Sequence, residues 1–328
     1  NNHVDNHNLN VDDENVNRSI LHVENTGNDV FLDNTNYECD YNVYKLEISG
    51  LHGGHSGEDI NKNRANANIV GFEILKQFNA LSPLKLSEIM AGGKDNAIPR
   101  EFIGEFATKT EMNDLQNALS EYLKELKTRF ESEKILVNLT QIDCDNKSIL
   151  NVINSSDTNN LIEFVCNFKN GVLNSGLQGN VLCSINLANI VLKDGMIKIR
   201  TMLRFNQSDL MQSALNDINF YSKKYDFKCC LRDSAPFFEP KNSDYLQRVC
   251  KDAYIANGYN DFVCIQDHAG LEGGIFTSGI KDLQVIVLGA DLFDIHTPTE
   301  RMRISSLDKL SQIIDTMLLK LNDKAQID

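Results

Sequence analysis

The run G-L-H-G-G-H-S-G-E-D, Gly50 to Asp59, holds two histidines, a serine and four glycines. Three chemistries compete for it. Gly54-His55-Ser56-Gly57-Glu58 comes within one residue of G-x-S-x-G, the elbow that presents a nucleophilic serine. Glu58, however, stands where close strand–helix packing needs glycine. Alternatively, a glycine turn leads into a helix with Ser56 as its N-cap. The third reading makes His55 the working residue, because glycines on both sides let backbone approach a ligand and leave the imidazole exposed.

A second candidate is the segment Asp291 to Glu300, D-L-F-D-I-H-T-P-T-E, which follows the apolar run L-Q-V-I-V-L-G. Ligands in α/β sheets sit beyond the carboxyl ends of strands. His296 there is a metal ligand, a base, or simply a polar loop histidine. Near the start, Asn10-Val11-Asp12-Asp13-Glu14 sets three carboxylates together, either as a solvated acidic loop or as a strand-end site for a divalent cation. His3-Val4-Asp5 has the H-x-D form of many metal ligands, but no apolar strand follows to hold it, and it reads as a chance match.

Periodicity supplies the elements that must position these residues. Residues 43–51 alternate as a half-buried strand leading into the glycine loop. Residues 58–78 carry Ile60, Ala67, Val70, Ile74 and Phe78 at helical spacing. Strands are expected over 85–109 around a turn at Gly92-Gly93, over 135–143, and as a pair at 181–192 and 196–205. Helices are expected at 111–133, 156–167, 208–225 and 245–257, with a closing helix at 305–321. A strand, a glycine-rich turn and a short helix are expected over 262–276. The continuous apolar run 283–290 predicts a strand buried on both faces of a mixed or parallel sheet.

Composition narrows the function classes. The chain has 328 residues, about two domains' worth, and 41% hydrophobic residues. A formal net charge of −14 argues against binding a phosphate backbone. No run of about 18 apolar residues marks a membrane span. Eight cysteines make no C-x-x-C pair, which disfavours a zinc ribbon or a thioredoxin-type site. Scattered thiols and no secretory signal read as a cytoplasmic protein.

Taken together, four motifs in order resemble the aminoacyl-histidine dipeptidases: GLHGGHSGEDINKNRANA, GGKDNAIPRE, DHAGLEGGIF and VLGADLFDIHTPTE. These are cytosolic Xaa-His dipeptidases, dinuclear zinc aminopeptidases related to carnosinases. The resemblance spans nearly the whole chain, in pattern only over about 110–170. It implies an α/β metallopeptidase catalytic domain, a mixed sheet flanked by helices, interrupted by an inserted α+β lid. Residues 1–40 and 232–328 would be catalytic and 41–231 the lid. It further implies two Zn²⁺ ions, with Co²⁺ or Mn²⁺ as substitutes, a dipeptide substrate and a homodimer.

The resemblance also assigns roles. Asp12 and His296 fall on metal ligands, each serving a different ion. His55 falls on the lid histidine that polarises the scissile carbonyl. Asn96 and Arg204 fall on lid residues that hold the substrate, the arginine suited to its carboxylate. Gly270 falls in a substrate-lining turn. Gly273 stands where the family commonly has cysteine, a difference with no evident meaning.

One departure is serious. The family's first histidine ligand, its bridging Asp and its Glu pair lie upstream of the position matched by Asp12, and only eleven residues precede it here. One ligand per ion falls short of the three usual at a catalytic zinc. With the non-Met start, this leads to the expectation of a C-terminal fragment of an active dipeptidase, truncated in its sheet. A pseudoenzyme, or a dimerisation or protein-binding module built on the same scaffold, is the alternative. Purified residues 1–328 are therefore expected to hydrolyse no histidyl dipeptide appreciably. Measurable turnover in a metal-supplemented assay would contradict this.

Overall fold

The computed structural model describes residues 16–26, 29–32, 41–142, 150–176, 179–236, 244–264, 268 and 272–325. Its strands are β1 (Val16–Thr26), β2 (Asp29–Leu32), β3 (Asn42–Ser49), β4 (Gly54–His55), β5 (Lys85–Gly92), β6 (Ala97–Ile98), β7 (Phe102–Thr108), β8 (Leu136–Ile142), β9 (Leu150–Ile153), β10 (Gly171–Ser175), β11 (Val181–Lys193), β12 (Met196–Phe205), β13 (Lys228–Pro236), β14 (Leu292–Phe293) and β15 (Arg301–Met302). Its helices are α1 (Ala67–Leu81), α2 (Met112–Arg129), α3 (Ser155–Asn167), α4 (Ser208–Lys224), α5 (Asp244–Ala256), α6 (Glu272–Gly279) and α7 (Ser305–Ala325).

The α/β class is as expected. Nine strands form one sheet in the order β13-β1-β12-β11-β5-β7-β3-β8, with β10 also on β11. The pairings are antiparallel, which lets one face stay wet while the other is covered. Along β3, Tyr44, Leu46 and Ile48 turn inward, while Lys45 and Glu47 pair outside at 2.7 Å. Helices α2, α1, α3 and α4 lie side by side over the inner face. Phenylalanines fill the space between, with Phe72 edge-on to Phe102 at 5.8 Å and Phe164 against Phe227 at 4.7 Å. Gly71 lets α1 sit close, since a Cβ there would lie 2.5 Å from the Phe102 ring.

Helix α1 begins nine residues later than periodicity predicts, and the reason is its cap. The side-chain oxygen of Asn66 accepts from Asn68 N–H at 2.9 Å and Ile69 N–H at 3.4 Å. The Asn66 amide donates to the Leu187 carbonyl at 3.1 Å, tying the helix start to β11. Upstream, Asn63 takes φ 51°, outside helical space.

Strand β1 pairs with β12 on one side and β13 on the other. Two readings are corrected. Residues 283–290 join no strand ladder among the described residues. Ile286 and Leu288 pack on the cluster of Val249, Cys250, Ala253, Ile313 and Met317 between α5 and α7, whereas Val287 is 52% exposed. An apolar run is buried on both faces only where neighbours cover both, and here the helix pair covers one. The strand expected near 262 likewise makes no ladder over 261–264. Among the described residues no helix is long and apolar enough to cross a membrane.

The buried core thiols give a pH signature. Burial pushes the thiols of Cys183 and Cys229 from the ordinary 9.0 up to about 12. The folded state holds these protons while the unfolded chain releases them, so their contribution is complete below pH about 9 and is lost as pH rises toward about 12. Alkylation read by mass spectrometry at mildly alkaline pH should mark exposed Cys264 and spare Cys183 until denaturant is added. Asn66→Ala should cost about 1–3 kcal/mol in urea unfolding, through loss of the cap and of a buried bond.

Candidate active site

The glycine loop owes its shape to two carboxylates. At its base Glu133, just beyond α2, accepts His52 N–H at 2.8 Å and Ala65 N–H at 3.0 Å, closing residues 52–65 into a ring. Inside, buried Asp59 accepts His55 N–H at 2.8 Å and pairs with Lys62 at 2.7 Å and Arg64 at 2.9 Å. Gly53 and Gly54 turn the chain at φ 66° and 135°, conformations that a side chain would resist. The two-residue ladder β4–β6 then sets His55 opposite Ala97.

Ser56 is buried. Its N–H donates to the Asn96 carbonyl at 2.8 Å, and its Oγ accepts from Arg204 Nε at 3.3 Å. It knits the loop to its neighbours, and the N-cap role considered for it falls instead to Asn66. Nδ1 of His55 faces the N–H groups of Gly57 at 3.3 Å and Glu58 at 3.2 Å. Arg204, on β12 and 2% exposed, lies behind the ring with Nη2 3.4 Å from Nε2, so donors face both ring nitrogens: two backbone N–H groups on Nδ1 and one guanidinium N–H on Nε2.

Asn96 sits at the tip of the turn between β5 and β6. Buried Asn186 of β11 holds that turn from both flanks, donating to the carbonyls of Asp95 at 3.2 Å and Ala97 at 2.8 Å. His296 sits in the turn between β14 and β15, at φ 64°, with its N–H on Glu300 Oε2 at 2.8 Å. Arg301 pairs with Asp294 across the same turn.

These turns meet. Asn96 Nδ2 lies 3.1 Å from His296 Nε2, so the amide donates and the imidazole lone pair accepts. The rings of His55 and His296 stand 4.9 Å apart at 50°. Four of the six expected site residues, His55, Asn96, Arg204 and His296, thus lie within one cluster. Asp12 and Gly270 lie outside the described residues, as does His3-Val4-Asp5. A second contact joins the sheet to the C-terminal part: Ser184 Oγ and His268 Nε2 at 2.8 Å, both buried. Among the described residues, no group of three or more His, Cys, Asp or Glu is arranged to hold a metal ion.

Sequence reading missed Asp59, Glu133 and Asn186. Asp59 had a local signal, an acid four residues after His55 in a glycine turn. Glu133 and Asn186 had none, since their partners lie far along the chain.

No family model matches the chain. Cytosol non-specific dipeptidase of Escherichia coli (strain K12) is 25% identical over 298 residues, 89% of this chain and 61% of that protein. The aminoacylhistidine dipeptidase from Vibrio alginolyticus superposes with a TM-score of 0.72 at 22% identity, over 93% of this chain and 62% of that one. The chain is homologous to the first and shares the fold of the second, in line with the resemblance drawn from the motifs. It spans about three fifths of the length of each.

Asn186→Ala should release the 95–97 turn. Hydrogen–deuterium exchange is expected to rise there and at Ser56 N–H, whose acceptor is the Asn96 carbonyl, while α2 keeps its protection.

Proposed function

We propose that this chain forms the greater part of a dipeptidase, and that the complete enzyme hydrolyses Xaa-His dipeptides. The observation that carries the reading is the meeting of Asn96 and His296, 3.1 Å apart, with the His55 ring beside them. Three segments far apart in sequence each bring a polar side chain to one place, and each was marked by motif alone.

In this reading His55 works as a donor. Its Nε2–H points at the carbonyl oxygen of the scissile bond and stabilises the negative charge that develops there. Asn96 and Arg204 position the dipeptide, Arg204 toward its carboxylate, with Gly270 in the lining turn. Asp12 and His296 belong to a two-ion zinc centre. The described residues do not fit that centre by themselves, since His296 would be one ligand where a catalytic zinc needs about three.

Further polypeptide would complete the site. The homologous proteins are longer, and the C-terminal part leaves Val287, Ile314, Leu318 and Leu319 exposed on an apolar surface. Residues 232–328 are assigned to the catalytic domain and 41–231, joined by β1, to the lid. The protein is taken to be a cytoplasmic homodimer.

The test is the gene product extended by its upstream coding sequence. It should bind zinc stoichiometrically, hydrolyse Xaa-His dipeptides, lose that activity to a chelator and regain it with Zn²⁺, Co²⁺ or Mn²⁺. Neither zinc nor hydrolysis would favour a binding module. In the active protein His55→Ala should lower kcat about 100-fold or more with a smaller rise in KM. A rise in KM alone would make His55 a binding residue only.

A further inference from the structure

The glycine loop spends a buried carboxylate on one backbone amide, and that expense has a purpose. Asp59 is 4% exposed. Its Oδ2 accepts the N–H of His55 at 2.8 Å, and its own N–H donates to the carbonyl of His55 at 3.0 Å. One residue therefore holds both backbone polar groups of His55. Its Oδ1 accepts Lys62 Nζ at 2.7 Å and faces Arg64 Nη2 at 2.9 Å. Arg64 Nη1 in turn donates to the carbonyl of Gly53, gripping the chain just before His55.

Two glycines make room for this arrangement. A Cβ on Gly54 would lie 2.0 Å from Arg64 Nη1 and 2.3 Å from Asp59 Oδ2. A Cβ on Gly57 would lie 3.1 Å from His55 Cε1 and 3.2 Å from Nδ1. The turn closed by Asp59 brings the N–H groups of Gly57 and Glu58 onto Nδ1. Arg204 Nη2 lies 3.4 Å from Nε2, so donors face both ring nitrogens; two backbone amides held by the turn outweigh one longer guanidinium contact, which leaves the lone pair on Nδ1 and the proton on Nε2. A buried carboxylate is costly unless it is paired, and every bond of this one serves the same short turn.

We propose that Asp59, clamped by Arg64 and Lys62, is the positioning residue that fixes the His55 ring as its Nε2–H tautomer. This rests on the reading of His55 as a donor, yet it concerns a state of the ring that exists without substrate, metal or turnover. Asp59 touches neither substrate nor reacting atoms. It acts only through His55.

The experiment uses the full 328-residue chain with ¹⁵N-labelled imidazoles. Long-range ¹H–¹⁵N correlation at alkaline pH reads each histidine's tautomer, and His55→Gln assigns the signal. Wild type should show His55 as Nε2–H alone. Asp59→Ala should give a mixture of both tautomers, with His268 and the amide spectrum of the sheet unchanged. Asp59→Glu should recover part of the wild-type pattern, and Arg64→Gln, which leaves the carboxylate in place, should lose part of it. An Nδ1–H form in wild type overturns the proposal, and so does a folded Asp59→Ala whose His55 is unchanged. If Asp59→Ala does not fold, Arg64→Gln decides: an unaltered tautomer there overturns it. In an active longer protein Asp59→Ala should cut kcat about 10- to 100-fold at nearly constant KM. Tautomer control without dipeptidase activity would retain this proposal and remove the functional one.

Discussion

The site depends on two carboxylates accepting backbone N–H groups. Glu133 takes those of His52 and Ala65, and Asp59 takes that of His55. A loop this rich in glycine has high conformational entropy to lose, and weak contacts would not hold it. Charge-assisted bonds to backbone are about twice as strong as neutral ones. They turn a permissive sequence into a rigid shelf. The sheet beneath supplies the rest: β12 lifts Arg204 behind the histidine, and β11 steadies the Asn96 turn through Asn186.

Much of the sheet and its helices was legible in the sequence, for reasons tied to particular residues. Strand β3 alternates cleanly, and α2 keeps Leu115, Leu119 and Leu126 buried on one stripe. The failures share a cause, namely partners remote in sequence. Helix α1 starts at Ala67 because Asn66 bonds to Leu187, whereas the apolar spacing from Ile60 onward looked helical without it. Strand β1, V-N-R-S-I-L-H-V-E-N-T, lies in an Asn-rich opening and gave little pattern to read. The 283–290 run carried an apolar signal that says how much is buried and nothing of what buries it. At the site, motifs brought His55, Asn96, Arg204 and His296 to notice, but the acids and amides that hold them became visible only in three dimensions.

The C-terminal part has a different texture from the sheet. Its small core lies between α5 and α7, and α7 has apolar side chains on a second side as well: Ile313 and Met317 face α5, while Leu318 and Leu319 are exposed. The His296 turn is rigid nonetheless, held by Glu300 and by the Arg301–Asp294 pair. A firm turn on a thinly covered base suits a histidine whose remaining surroundings come from elsewhere, which is how the proposed function treats it.

Strand β1 also bears on the order of assembly. Arg18 lies opposite Arg204, and Val16 opposite Pro236, so the first strand sits between two of the last strands of its sheet. A ribosome-bound chain cannot close this edge until β13 has emerged. Until β12 emerges β1 has no ladder partner, and until β13 emerges its second edge stays open. Such long closures are slow and leave strand edges open to the wrong neighbour. Early strands β3, β5 and β7 can pair locally first, with α1 laid over them. Refolding of this sheet should therefore be paced by the capture of β1.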